Sequence, residues 1–294
     1  TINKLYKRAI KGNNRFLICT RNLYPPRVND VKATINLLHA YGWEESEFPQ
    51  QWVKDFNSNL QGITVMSKLV KKILIDNGVH IPIKVCGLGL DHINHIQVDD
   101  TFNINSKSYK ILHISSCFPR KGVDILLKSY STVFNENDDV SLIIKTFDNP
   151  HNNIEQQINE LKENNIHFPD VKIIKDDLNL AQLKSLYLQS NVLVAPSRGE
   201  GFGLPIAEAM LLGLPVITTA WGGQRDFCDE TNSWLVDFQF ANSKSHFALD
   251  YSYWAEPSSE DLIDQMRRVY SATKKEISTK ITNAKRTINS STWD

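Results

Sequence analysis

At 294 residues, with 41% hydrophobic and 22% charged side chains, the chain has ordinary globular composition and length enough for two domains. No apolar run approaches the roughly 20 residues of a membrane span, and the polar, basic N-terminus lacks the apolar segment of a signal peptide. Net charge is zero but uneven, +6 over residues 1–91 and −6 over the remainder, so the first part could face an anionic surface; a solvated face is the simpler account. Cys19, Cys86, Cys117 and Cys228 lie far apart with no CxxC pair. That argues against zinc and against a disulfide framework and suits a reducing, cytoplasmic setting.

In chain order, Arg15–Thr20 reads as a strand, broken by Pro25-Pro26. A second apolar run, Ile35–His39, leads into Tyr41-Gly42-Trp43-Glu44-Glu45-Ser46, and 52–56 reads as a short helix. Gly62–Met66 is a strand, after which Ser67 caps a helix with apolar Leu69, Val70, Ile73 and Leu74 at helical spacing. Ile83–Cys86 is one more strand. Residues 94–107, polar and poor in core residues, read as a linker.

A fresh series follows: strand 110–115, helix 123–134, strand 140–145, helix 153–164, strand 171–174, helix 180–188 and strand 192–195. Strands alternating with helices predict α/β architecture with parallel sheets covered on both faces. The division expected is a partial first domain at 1–93, the linker 94–107, a fuller second domain at 108–275 and a closing segment at 276–294.

The most informative stretch runs from Ser197 to Ala209, S-R-G-E-G-F-G-L-P-I-A-E-A. Pro205 suits a first helical turn, Gly213 a helix end, and Pro215–Thr219 the next strand, giving strand, loop, helix, strand. A ligand would lie at the carboxyl end of such a sheet. Gly201 and Gly203 let backbone approach a ligand, and free amides near Gly203 and Leu204 suit a phosphate. Glu208 on the helix could accept hydrogen bonds from ribose hydroxyls, and Glu200 on the loop could hold a second polyol. A phosphate flanked by two hydroxyl-rich groups describes a nucleotide sugar. Either acid alone could simply favour a helix N-terminus; the pair around this loop is less readily explained so.

These residues resemble a known family. Glu200 to Glu208 matches the E-x7-E signature of retaining glycosyltransferases of the GT-B fold, family 4, in which two Rossmann-like doubly wound domains face a cleft. Ile63–Lys68 resembles its strand and helix near the end of the first domain, Gly87–Asp91 its turn into the linker, and Pro119–Asp124 its "GRL…KG" loop, all in family order. Trp43–Ser46 with Phe48-Pro49 resembles a bacterial polysaccharide-assembly branch.

The resemblance implies retaining transfer of a hexose from a UDP- or GDP-sugar to a glycan or lipid-linked glycan acceptor. It implies no cofactor beyond the donor substrate, no metal and no nucleic-acid partner. Glu200 would contact the donor sugar and Glu208 the ribose, with the backbone of Gly201, Phe202, Gly203 and Leu204 around the sugar diphosphate. Lys121 would neutralise the leaving diphosphate. The transfer would proceed on one face of the sugar without a covalent enzyme intermediate.

Departures from the family pattern extend the candidates. Ser116 stands where the family has arginine, with Arg120 a substitute; Lys145 is a second phosphate candidate and Lys175 a base-recognition candidate. His39 is a candidate facing the transferred sugar, against a plain core or surface histidine. Arg198 could pair with Glu200 or with phosphate. His92 and His95 have metal-pair spacing but no third ligand. The basic segment Lys4, Lys7, Arg8, Lys11 could touch the inner face of a membrane.

The family's opening glycine-loop unit and the helix after Trp293-Asp294 have no counterpart here, so a piece of a longer polypeptide is the expectation. Rival readings are a non-catalytic nucleotide-sugar-binding module and another GT-B enzyme, such as a sugar-nucleotide epimerase or a glycan phosphorylase. A dinucleotide dehydrogenase lacks its G-x-G-x-x-G.

Overall fold

The computed structural model describes residues 16–30, 33–245, 247–289 and 291–292. The Lys4–Lys11 segment, Arg15 and Trp293-Asp294 lie outside them.

The first sheet has order β1-β2-β3-β4, from Phe16–Arg21, Ala33–Tyr41, Gly62–Val65 and Ile83–Val85, with every neighbour parallel. Helix α1 (Gln50–Asn59) joins β2 to β3, and α2 (Lys68–Asp76) joins β3 to β4. The Ser67 hydroxyl accepts from the Val70 amide, the cap read from the sequence. Val70, Ile73 and Leu74 bury the apolar stripe of α2 in a core with Trp43, Phe48 and Phe56.

The second sheet is the larger. Its strands are β5 (Tyr109–Ile114), β6 (Val140–Lys145), β7 (Asp170–Ile174), β8 (Val192–Ala195), β9 (Val216–Thr219) and β10 (Trp234–Val236). They lie in the order β10-β9-β8-β5-β6-β7, all parallel. Helices α3 (Val123–Val133), α4 (Ile154–Asn164), α5 (Leu180–Leu188) and α6 (Leu204–Leu212) connect them. β8 and β9 are buried throughout, as strands with helices on both faces must be. The chain winds outward from β5 through β6 to β7, returns to β8, and winds the other way. The carboxyl ends of β5 and β8 therefore flank the point where the order reverses, the usual ligand crevice of such sheets.

Three features differ from the sequence reading. An antiparallel ribbon, β11 (Phe238–Asn242) with β12 (Tyr253–Pro257), leaves the second sheet and reaches the first-sheet loop at 43–48. Helices α7 (Ser259–Ser271) and α8 (Lys274–Ile288) follow it, and α8 buries Ala284 and Ile288 in the cluster that holds Ala209 and Met210 of α6. The stretch 94–107, poor in core residues by composition, nonetheless buries Ile104 and lays Ile96 and Phe102 against that cluster.

Candidate active site

Two loops line the reversal point. After β5 the chain runs through Ser116 and Cys117 into a short helix at Pro119–Lys121, then turns at Gly122 into α3. Gly122 has φ +67°, and a Cβ there would lie 2.0 Å from the Pro196 carbonyl oxygen. Only glycine lets this loop close on the one after β8. The Arg198 amide donates to the Arg120 carbonyl at 2.7 Å, completing the junction.

That junction brings Lys121 to Glu200. Lys121 Nζ donates to Glu200 Oε1 at 2.7 Å, and the Ser197 hydroxyl donates to the same oxygen at 2.8 Å. Burial alone would raise the Glu200 pKa. The charges of Lys121 and Arg120 and the two hydrogen bonds outweigh it and hold the carboxyl below its usual range. Lys121 is pulled down by burial and by neighbouring Arg120, an effect Glu200 and Glu44 partly offset. Arg120 faces Glu44 of the first-sheet loop at 3.5 Å, and its Nη1 is buried without a hydrogen bond among the described residues.

The first-sheet loop presses directly on this loop. A Cβ on Gly199 would meet the Glu44 carbonyl oxygen at 2.5 Å, so glycine is required by close approach. Beside the contact lies a cavity of about 350 Å³ lined by Tyr24, Tyr41, Glu44, Met66, Phe118 and Arg120, among others. Its walls come from both sheets, and Arg120 brings it to the edge of the charged cluster.

Helix α6 starts at Leu204 with Gly203 as its N-cap at φ +90°, leaving the first amides of the helix outside its ladder. Phe202 stacks on Phe227 at 5.2 Å, and the Gly223 amide donates to the Glu200 carbonyl at 2.7 Å, fixing the loop from behind.

Glu208 is 9% exposed and looks elsewhere. Its Oε2 accepts from the Tyr187 hydroxyl at 2.6 Å in a narrow crevice lined by Ile93, Ile96 and Leu183. Burial raises its pKa against the opposing Tyr187 bond and the nearby His92.

Other sequence candidates are scattered. Ser116 carbonyl accepts from Asn149, and Lys145 Nζ donates to the Thr146 carbonyl, both at the carboxyl edge of β5 and β6. Lys175 is occupied by Asp148 at 2.8 Å and Glu155 at 3.0 Å. His39 is exposed and lines a separate depression with Leu37, Thr64 and Lys84; the structure does not gather it with Glu200.

Arg198 corrects its expectation outright. It grips Asp124 at 2.8 and 2.9 Å and Glu256 at 2.7 Å twice, and donates to the Pro119 carbonyl, with Trp254 beneath it. Its donors are spent on structure.

Two residues had no signal in the sequence. Tyr187 sits mid-helix, where an aromatic is ordinarily core. His113 lies on β5 under the loop, its Nδ1 2.8 Å from the Val194 carbonyl and Nε2 2.8 Å from the Ser115 hydroxyl. Burial pushes its pKa down to about 4, so it is neutral at pH 7.

The family model described as glycosyl transferases group 1 matches residues 108–246, which span β5 to the ribbon. Over 175 residues the chain is 27% identical to the capsular polysaccharide biosynthesis glycosyltransferase CapM of Staphylococcus aureus, covering 56% of this chain and 44% of that protein. It is 22% identical over 211 residues to the O-antigen chain mannosyltransferase RfbU of Salmonella typhimurium, covering 71% and 58%. The chain thus spans about half the length of these relatives.

HepE of Anabaena, solved with UDP and glucose, superposes with a TM-score of 0.67 at 18% identity, covering 88% of this chain and 68% of that one. A glycosyltransferase from Rickettsia africae gives 0.70 at 17% identity over 99% and 76%. These likenesses show the fold: parallel-sheet α/β units arranged as in GT-B glycosyltransferases. Within the matched residues 108–246, the Lys121–Glu200 pair occupies the loops at the reversal point.

Proposed function

We propose that the protein is a retaining glycosyltransferase that moves a hexose from a UDP- or GDP-sugar to a glycan or lipid-linked glycan acceptor in surface polysaccharide assembly. The observation that carries this reading is the Lys121–Glu200 pair, with Arg120 beside it and the start of α6 behind it. Two adjacent cations and helix-start amides suit a diphosphate, and a buried ionised carboxylate suits sugar hydroxyls. The relatives' names and the UDP and glucose held by HepE point the same way.

In this reading the bond between the anomeric carbon and the phosphate oxygen breaks as the acceptor hydroxyl oxygen bonds to that carbon on the same face. The acceptor proton passes to the leaving phosphate oxygen. Lys121 and Arg120 take up the developing negative charge where water is excluded, the term such a reaction needs most. Glu200 orients the sugar. Glu208 would hold the ribose once its hydroxyl partner Tyr187 is displaced or shared. The donor would be bound without a further cofactor.

The test uses the complete protein with a panel of UDP- and GDP-sugars and a lipid-linked glycan acceptor, following product and its anomeric configuration by NMR. Transfer that survives Lys121→Ala and Glu200→Ala unchanged would overturn the assignment, as would an inverted product.

A further inference from the structure

Glu44 also borders a second cavity, on the other side of the loop that carries it. This space of about 340 Å³ opens between α2, the Trp221 turn and the β11–β12 ribbon. Leu69 and Ile73 of α2 form one wall, and Trp221, Phe240 and Tyr253 form the opposite one. Phe240 is 58% exposed and Tyr253 47%, aromatic surface contiguous with apolar side chains of the neighbouring helix.

The rings are held in place before any ligand arrives. Trp221 meets Phe240 edge-on at 5.0 Å and Phe238 at 5.7 Å. The ribbon is tied to the first-sheet loop by the Ser46 amide on the Tyr253 carbonyl at 3.2 Å and the Tyr253 amide on the Ser46 hydroxyl at 2.7 Å. The polar rim consists of Ser46, Glu44, Glu45, Asp76 and Lys72. Lys72 bonds Asp76 at 2.6 Å and Arg120 faces Glu44, while Glu45 Oε2 takes the Ser243 and Ser252 hydroxyls. The acids are therefore mostly compensated, yet carboxylate oxygens remain as acceptors.

Such a lining selects a neutral ligand with apolar faces and hydroxyl edges. A phosphate would meet three carboxylates against one lysine, and an alkyl chain would desolvate the rim acceptors without pairing them. A pyranose ring fits both requirements, its C–H faces on the aromatic side chains and its hydroxyls on the rim. The volume lies near the lower end of the roughly 300–1,000 Å³ of small-molecule sites.

We propose that this pocket is a carbohydrate subsite that holds a non-reacting pyranose residue of the acceptor glycan. Lys121 and Glu200 do not line it, so the sugar it holds is not the one transferred. Only the word acceptor rests on the transfer reading; the pocket's preference for a pyranose does not.

Saturation-transfer NMR tests it with the methyl glycosides of glucose, galactose, mannose and N-acetylglucosamine, with n-octyl glucoside, and with UDP and GDP. Phe240→Ala and Tyr253→Ala are the variants, each truncating a half-exposed ring, with thermal melts checking the fold. The expected result is ring-proton saturation of at least one methyl glycoside, glycoside binding weaker by about tenfold in each variant, and unchanged affinity for the nucleotide, UDP or GDP, that the parent binds. Equal glycoside binding in both variants, no methyl glycoside bound by the parent, or saturation confined to the octyl chain would overturn it. Glycoside binding that depends on Phe240 with neither UDP nor GDP bound would sink the transfer reading and leave the subsite standing.

Discussion

Lys121 and Glu200 meet at 2.7 Å although they are 79 positions apart, one on the loop after β5 and the other on the loop after β8. Both are largely buried, with side chains 14% and 10% exposed. Removing one partner leaves the other charge stranded, at a cost of about 3–5 kcal/mol in such surroundings. Lys121→Ala and Glu200→Ala should each destabilise the fold by that order in urea titrations. The double variant Lys121→Met/Glu200→Gln should recover most of the loss, because neither charge is then unpaired. Glycosyl transfer should not recover with it. A double variant as active as the parent would show that the pair only holds the loops together.

A second prediction concerns pH. His113 titrates near 4 in the folded protein, against about 6.5 when exposed. The unfolded chain therefore binds the proton first as pH falls. The stability due to the neutral, buried imidazole is fully present above about 6.5 and is lost progressively down to about 4, some 3 kcal/mol in all. Glu200, held below its ordinary pKa, adds a loss of the same sign at lower pH. Chemical denaturation at stepped pH should show stability falling from pH 6.5 to 4. His113→Asn should flatten that slope. An unchanged slope would assign the acid sensitivity to other groups.

The site's scaffold was legible in the sequence only in part. The order of strands and helices around β5–β9 followed from runs of apolar residues bounded by glycine, proline and capping residues, and Val140–Lys145 and Leu180–Leu188 have the bounds expected. Helix α8 was also written there: Thr273 caps it, with Glu276 three residues on, and Ile277, Ile281, Ala284 and Ile288 recur at helical spacing. Its polar majority obscured that stripe. The ribbon was not readable, because Phe238–Asn242 and Tyr253–Pro257 pair across a long insertion, and the first of them buries no residue although Trp254, Ala255 and Pro257 of the second are buried. Partner choice was the least legible feature. Nothing local distinguishes an Arg198 that serves Glu200 from one that serves Asp124 and Glu256, since both acids come from elsewhere in the chain.

That Arg198 geometry leads to a third prediction. Its guanidinium joins the loop after β8 to the start of α3 and to β12, and donates to the carbonyl of Pro119, two residues before Lys121. Its partners are about a third exposed, which lowers the worth of the ion pairs, so Arg198→Ala should cost about 2–3 kcal/mol. Arg198→Lys keeps the charge but cannot make both forked contacts and should recover little. If the clamp positions Lys121, each variant should lower kcat for transfer more than it raises the donor KM. Loss of stability with kcat untouched would confine Arg198 to holding the fold.

Glu45 links the two sheets through a different element. Its Oε2 accepts from Ser243 at 2.8 Å and from Ser252 at 2.9 Å, both on the segment between β11 and β12 or at its edge, while Glu45 itself follows β2. Its neighbour Glu47 takes the Tyr251 amide at 3.0 Å, and Trp43 packs against Phe247 at 4.8 Å. Besides the Ser46–Tyr253 and Arg198–Glu256 ties, the ribbon is thus held by one buried carboxylate and one aromatic contact at its insertion. Glu45→Ala removes the acceptor and leaves two hydroxyls to find water, costing about 1–3 kcal/mol. The loss should be local: hydrogen exchange at the Ser46 and Tyr253 amides should accelerate, while amides of β5 and β6 keep their protection. Glu45→Gln, which retains one acceptor oxygen, should fall between. Uniform acceleration across the second sheet would mean that the ribbon is part of one cooperative unit with it, and not a strap anchored at Glu45.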